Sequence, residues 1–418
     1  MSVPTRILLS SATAVTTVVL LALGLAGCGW LGLPSVRGCW STSADAASVA
    51  PGPLLQRLVV LGDFGASYEQ RNSTLARALH QFLQATPEAK AVTHVLLLGD
   101  NFYPRGLVGV QGHCDPSHAT PAAIEHQLEA VLEPFAFLRE LRIPVTAIPG
   151  NHDHGCGTFG LENQANPDRF LPPHKRWGSL WNFRYGEPQA VLFSTARLRL
   201  LLLDSEPMVQ DGNSLRASAE ALERLITEEP GHYRWQLVAA HHPLRTLGEH
   251  DGAFPAGIRK PLTFVLFPVH FLAAGGLPPF SALSQEAYSF RYQRYRRTIE
   301  RIWKHHPGAV DLFLAGHDHS LQLLAPQEGG FPTELVVGSG AYCSPVRADP
   351  KLMFAAAKHG FAVLDFSAES FTVALYATSP CADQEVCPVG SGQAYSLYRA
   401  VFHRDASTQS FAKKGALS

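Results

Sequence analysis

The sequence predicts an α/β protein built on a buried, largely parallel β-sheet that presents its polar chemistry at one edge. Three observations carry this expectation. Five short apolar runs, at 58–61, 95–98, 145–148, 236–240 and 311–315, each stop at a polar loop. Continuous apolar runs bounded by glycine and proline fit strands that are covered on both faces. Between the runs lie segments with apolar residues at helical spacing, such as 72–84 and 217–227. Strand–helix alternation implies a sheet that binds ligands at the carboxyl ends of its strands. Finally, the 418 residues are 46% hydrophobic and only 17% charged, against about 25% charged in an average globular chain. A chain of this length and composition buries a substantial core, which excludes disorder as its dominant state.

Taken in order, the chain opens with Arg6 ahead of an uncharged run, 7–27, followed by Cys28. A short positive region, an apolar stretch and small residues before a cut site describe a secretory signal. Leu25-Ala26-Gly27-Cys28 also resembles the lipobox of bacterial lipoproteins. That resemblance implies removal of 1–27, a lipidated Cys28 as mature N-terminus, and a membrane partner held through the lipid. The location is then the bacterial cell envelope, on its periplasmic side, or outside the cell. The bland alternative is an uncleaved anchor helix, since about 20 apolar residues can span a bilayer. Residues 28–53, rich in Gly, Ser, Ala and Pro, read as a flexible tether. One domain is expected over 54–378, with a sixth apolar run at 198–203 and an apolar, Pro- and Gly-rich insertion at about 253–285 read as extra core or a packed loop. Residues 379–418 read as a C-terminal extension, polar and frayed from about 406.

Without Cys28, six cysteines remain: Cys39, Cys114, Cys156, Cys343, Cys381 and Cys387. An even number in an exported chain predicts disulfides. Cys381 with Cys387, close in sequence, is one expected bridge, and Cys114 with Cys156 is another. The cluster His113, Cys114, Asp115 and His118, with His154 and Cys156, fits no structural zinc spacing, so a disulfide among surface histidines is the better reading. The formal net charge of -1 argues against a nucleic-acid binder, and a mean hydropathy of +0.01 against a polytopic membrane protein.

Five loops carry the chemistry: Gly62-Asp63-Phe64-Gly65, Gly99-Asp100-Asn101-Phe102-Tyr103, Gly150-Asn151-His152-Asp153, Val238-Ala239-Ala240-His241 and Gly316-His317-Asp318-His319. Each places a carboxylate, phenol, amide or imidazole directly after a strand, where a rigid scaffold can aim it. Singly, each is an ordinary turn, cap or surface pair. Together they bring seven potential ligands, Asp63, Asp100, Tyr103, Asn151, His241, His317 and His319, to one sheet edge. Mixed nitrogen and oxygen donors in that number point to two adjacent metal ions of the iron, zinc or manganese kind. No Ser/His/Asp triad and no nucleotide-hydrolase glycine loop stands out.

This set resembles the calcineurin-type metallophosphoesterases, and within them the small, tartrate-resistant purple acid phosphatases. The likeness runs from about residue 58 to 341, apart from the 253–285 insertion. It implies a four-layer α/β/β/α sandwich with two mixed β-sheets. Generic metallophosphoesterases open with Asp-x-His, whose histidine is a ligand. Here that position is Gly65, and Tyr103, three residues after Asp100, takes its place as in purple acid phosphatases. A phenolate favours a hard ferric ion. The resemblance therefore implies an Fe(III) site of Asp63, Asp100, Tyr103 and His319. It implies a second, divalent site (Fe, Zn or Mn) of Asp100, Asn151, His241 and His317, bridged by Asp100. It casts His152 as the residue that contacts phosphate and protonates the leaving group, and His250 as a second histidine on the substrate side. His242 reads as supporting or packing.

The implied reaction is hydrolysis of a small phosphomonoester by a hydroxide held between the two metals, attacking phosphorus in line with the leaving oxygen. An imidazole suits proton donation to the departing alkoxide. The alternatives are a phosphodiesterase or nucleotide hydrolase on the same scaffold, and an inactive envelope lipoprotein. Filled ligand positions in all five loops argue against the last. Substrate identity and oligomeric state are not written in these motifs.

Overall fold

All six residues of the strand Gln56–Leu61 are buried. Leu58 and Val60 turn to one face, while Val59 and Leu61 turn to the other. Side chains alternate across a strand, so a strand buried throughout must have a layer on each side. That parity, repeated in its neighbours, builds the molecule. The computed structural model describes residues 35–36, 38–41, 52–66, 69–109, 111–115, 117–228, 231–251, 289–381, 391–404 and 411–417. The signal segment 1–27, Cys28, the 253–285 insertion and Cys387 lie outside the described residues.

Two eight-stranded sheets form the centre. In the first, Gln56–Leu61, Thr93–Leu97, Val145–Ala147 and Trp181–Phe183 run parallel. Gly360–Phe366, Ser370–Ala377, Tyr395–Arg404 and Phe411–Leu417 then continue that sheet antiparallel beyond Gln56–Leu61. In the second, Leu198–Leu202, Trp235–Ala239, Leu312–Ala315 and Thr333–Val337 are parallel. Antiparallel strands flank them, Gln189–Phe193 on one side and Leu321–Leu324, Leu352–Ala356 and Cys39–Ser41 on the other.

The sheets face each other through Leu58, Val60, Leu96 and Leu98 on one side and Leu200, Leu237, Leu312 and Leu314 on the other. On the outer face of the first sheet, Val59, Val95 and Leu97 pack against helices Glu69–Ala85 and Pro121–Leu132 through Leu75, Leu79, Ile124 and Leu128. On the outer face of the second, Leu201, Val238 and Phe313 meet helices Gly212–Thr227 and Phe290–His305 through Leu222, Ile226, Tyr295 and Trp303. The result is the expected α/β/β/α sandwich with two mixed sheets. Strand ends agree with the apolar runs to within two residues, and the 217–227 periodicity extends back to Gly212, where Asp211 accepts a hydrogen bond from the Ser214 N–H at 2.7 Å.

Three expectations need correcting. Within the 28–53 tether, Cys39–Ser41 is an edge strand paired with Leu352–Ala356, and Ser35–Val36 pairs with Val346–Arg347. The residues after 379 are not a simple appendage. Tyr398, Ala400 and Phe402 alternate into the core between the sheets, and Phe411–Leu417 pairs with Tyr395–Arg404. The predicted bridge between Cys381 and Cys387 is not made, because Cys381 joins Cys39 across 342 residues of sequence. Cys114 does bridge Cys156, with Cα atoms 5.0 Å apart, and Cys343 is also disulfide-bonded.

Candidate metal centre

The polar loops leave the carboxyl ends of parallel strands in both sheets and meet between them. Asp63 follows Gln56–Leu61, Asp100 and Tyr103 follow Thr93–Leu97, and Asn151 and His152 follow Val145–Ala147. His241 follows Trp235–Ala239 of the second sheet, and His317 and His319 follow Leu312–Ala315. Asp63, Asp100 and His317 adopt left-handed backbone with φ of 54°, 52° and 65°. Such a conformation costs a non-glycine residue roughly 1–3 kcal/mol and persists where surrounding contacts impose it, as at functional sites.

The loops are stitched together. His317 N–H donates to Asp63 Oδ2 at 2.8 Å, and His152 N–H donates to Asp100 Oδ1 at 2.9 Å. Asp153, fully buried, accepts from the N–H groups of Asn101, Phe102 and Gly150 at 2.8–3.1 Å. This carboxylate ties the Asp100–Tyr103 loop to the Asn151–His152 loop. Gly150 is required by the same closeness: a Cβ there would stand 2.2 Å from Asp100 Oδ1.

One ligand atom each from Asp63, Asp100 and His241 lies within 4.8 Å of the others. The Tyr103 hydroxyl donates to Asp63 Oδ1 at 3.4 Å, and His319 Nε2 stands 3.7 Å from the same oxygen. On the other side of Asp100, His241 Nε2 is 3.5 Å from its Oδ1. Asn151 Oδ1 lies 3.0 Å from His241 Nε2 and 3.1 Å from His317 Nδ1. His241 Nδ1 faces the Leu98 carbonyl at 2.8 Å, which assigns the proton to Nδ1 and leaves the Nε2 lone pair pointing at Asn151 and Asp100. Electron-pair donors thus converge on one another, as in a cation site. All seven expected ligand residues are at this junction.

Electrostatics agree with that donor set. Burial, with the Asp100 carboxylate beside it, pushes the Asp63 carboxyl well above the usual carboxylate range. Burial would raise Asp100 too, but His241 and His152 hold it below its ordinary value. Burial lowers His241, and pushes His319 down to about 3, so these imidazoles keep free lone pairs. Burial and the two carboxylates raise the Tyr103 phenol well above its ordinary value. Without cations, then, the pocket concentrates negative charge that it cannot stabilise. Bound cations would reverse that disadvantage.

His152 is the open member, with 39% of its side chain exposed and its Nδ1 2.7 Å from the Pro104 carbonyl. Its Nε2 lies 4.0 Å from Asp100 Oδ2, and its ring is 4.4 Å from that of Tyr103. His250 stacks on His317 with ring centres 4.3 Å apart, and its ring centre lies 5.7 Å from that of His319. The Leu247–Glu249 backbone is held by Gln322 and Asp318, which bring His250 there. His242 is buried behind the donors, its ring centre 4.6 Å from that of His317 and 5.1 Å from that of His241, with Nδ1 2.9 Å from Ser205 Oγ. The alternative zinc cluster is not assembled: both sulfurs are in the disulfide, and His154 Nε2 contacts Asp204 Oδ1 at 2.8 Å.

Tyr342 was not expected from the sequence. Its ring is 5.5 Å from Tyr103 and 5.3 Å from His319. It follows a strand that has no motif, so the one signal was an aromatic shortly after an apolar run. Asp153 and Asp318 lay inside quoted loops, but their anchoring roles required the structure.

A family model described as calcineurin-like phosphoesterase matches residues 56–321. Among solved structures, one of PhoD superposes with a TM-score of 0.50 at 12% identity, covering 88% of this chain and 72% of that one. GAP50, the anchor in the inner membrane complex of Plasmodium, superposes with a TM-score of 0.49 at 14% identity, covering 82% and 89%. A 5'-nucleotidase from Candida albicans gives 0.31 at 9% identity, covering 73% and 48%. At such identities the likeness to PhoD is one of fold alone. No curated protein matches the chain in sequence.

Proposed function

The chain belongs to the calcineurin-like phosphoesterase family, and we propose that it is a dinuclear-metal acid phosphatase of the purple, tartrate-resistant type, acting on phosphomonoesters outside the cytoplasm. The observation that carries the subtype is a pair of positions, Gly65 and Tyr103. A Cβ at residue 65 would fall 2.1 Å from the Asn101 carbonyl oxygen, so the backbone there excludes the histidine of the generic motif. The Tyr103 hydroxyl, 3.4 Å from Asp63 Oδ1, is near enough to share an ion with that carboxylate, which supports the substitution. Asp63, Asp100, Tyr103 and His319 would hold a ferric ion. Asp100, Asn151, His241 and His317 would hold a divalent iron, zinc or manganese. Bound there, the ions would supply Lewis acidity, lowering the pKa of water and offsetting the charge of the phosphate.

The chain's own residues do the rest. His152 is oriented by the Pro104 carbonyl facing its Nδ1 and by the hydrogen bond that its backbone N–H donates to Asp100; it faces solvent on the substrate side and donates a proton to the departing alkoxide. His250 supplies a second imidazole beside His317 for the phosphate. Gln322 and Asp318 keep its loop in place.

The test is metal analysis with an absorption spectrum of the aerobically purified protein. A phenolate donating into ferric iron absorbs visible light, so the wild type is coloured and Tyr103→Phe is colourless with the fold retained. A colourless wild type containing one ferric ion per chain would rule the phenolate bond out. Faster turnover of bis-phosphodiesters than of monoesters would overturn the substrate class. Export through the lipobox-like run makes Cys28 the acylated N-terminus. Intact mass of membrane-extracted protein then lacks residues 1–27 and carries acyl mass, whereas an unprocessed Met1 chain defeats that reading. The disulfides support an oxidising compartment.

A further inference from the structure

The helix Phe290–His305 buries Tyr292, Tyr295, Ile299, Ile302 and Trp303 against the second sheet. At about 100° per residue, those five side chains occupy one side of the helix. Arg291, Arg294, Arg297, Arg301 and Lys304 are all exposed. They fall on an arc of about 140° on the side of the helix away from the buried face, with Arg291 at its edge. The row is about 20 Å long at 1.5 Å per residue. Its residues 291, 294, 297, 301 and 304 recur every three or four positions, so the cations form a continuous stripe.

Among the described residues, acids offset this stripe only in part, at Arg294, which Asp211 faces. The one acid in the helix, Glu300, lies off the arc and pairs with Arg296 at 3.6 Å. From the neighbouring elements, Asp211 stands near Arg294, Arg291 donates to Gln210 at 2.8 Å, and Lys304 lies 5.6 Å over the Phe331 ring. The chain as a whole carries a formal charge of -1, so this concentration of positive charge is local. At the head of the helix, Phe290 is 96% exposed, an aromatic ring held out in water beside Arg291.

We propose that the outward face of Phe290–His305 docks on an anionic phospholipid surface, with the cations over the head groups and Phe290 entering the interface. A flat row of cations with an aromatic at one end suits a planar anionic surface. Neutral overall charge and a single helix stripe do not suit a nucleic acid, which is usually bound by a basic domain. The docking would add an electrostatic attachment to any lipid at the N-terminus. The inference is independent of the reaction catalysed.

The experiment measures partition of the full chain into vesicles of phosphatidylcholine alone and of phosphatidylcholine mixed equally with phosphatidylglycerol. The N-terminal segment contributes to both, so the ratio of the two partition constants isolates the electrostatic part. Each cation near an anionic surface is worth roughly fivefold. The triple variant Arg294→Glu, Arg297→Glu, Arg301→Glu should therefore lower the ratio by at least about 100-fold. Molar salt should reduce the wild-type ratio towards unity. A neutral triple variant with Gln at the same positions should fall in between, which guards against a folding artefact of charge reversal. Unchanged phosphatase activity of both variants in detergent would show that the fold is intact. An equal ratio for wild type and both variants would overturn the proposal. So would binding of single-stranded DNA or polyglutamate by the stripe with no preference for anionic vesicles.

Discussion

Asp100 and His152 stand within 4.0 Å of each other, yet removing each should have a different signature. Asp100 is the carboxylate that reaches both halves of the donor set, with His241 and the Asp63–Tyr103 group on either side. Asp100→Asn should abolish activity and the paired binding of two metals per chain, read by metal analysis after gel filtration. His152 contributes no buried donor atom and is open to solvent. His152→Ala should keep metal content near normal while turnover falls by roughly 10²–10⁴-fold, the range for a lost general acid. Loss of both metals from that variant would reassign His152 to a structural role. Its place at the strand end beside Asn151 was legible in the loop motif. Its orientation was not, because the Pro104 carbonyl that holds it is 48 residues away.

The unit that matters one level up is the pair of loops leaving Gln56–Leu61 and Thr93–Leu97. Gly65 N–H donates to the Asp100 carbonyl at 3.1 Å, and Tyr103 N–H donates to the Gly65 carbonyl at 3.1 Å. Residue 65 thus serves as a backbone splint for the loop that presents Tyr103. Gly65→Ala pushes a methyl group into the Asn101 carbonyl, and the loops must part. The expected outcome is a loss of about 1–3 kcal/mol of stability by chemical denaturation, with a weakened visible band from the displaced phenol. Full stability with an unaltered band would show that the splint has slack. The missing histidine at 65 was legible in the motif. The reason that no side chain fits there is a contact between two loops, which a one-dimensional pattern does not contain.

Across the whole molecule, the two sheets meet over a face that disfavours charge, and one half-buried titratable group lies at that meeting. His94, in Thr93–Leu97, has Nε2 2.8 Å from Thr146 Oγ1 and its ring centre 5.2 Å from that of Phe193 in the second sheet. Burial pushes its pKa down to about 4, from an ordinary value of 6.5. The folded state therefore prefers the neutral ring. Its contribution is complete above pH 6.5 and is lost as pH falls towards 4, by up to about 3 kcal/mol. His94→Gln, which cannot charge, should flatten the fall in stability between pH 7 and pH 4, measured by denaturant melts at fixed metal loading. An identical pH profile in the two proteins would refute this. The sequence by itself determined six of the strands, the α/β class and the polar residues offered at their ends, because burial on two faces and polar groups placed after apolar runs are local patterns. Only the tertiary structure decided which strands share a sheet, that Tyr395–Arg404 joins the first sheet, that Cys381 takes Cys39, and that Tyr342 stands beside Tyr103. Those outcomes depend on register and approach between segments far apart in the chain, and the free energy that selects them belongs to contacts that exist only once the two sheets have closed on each other.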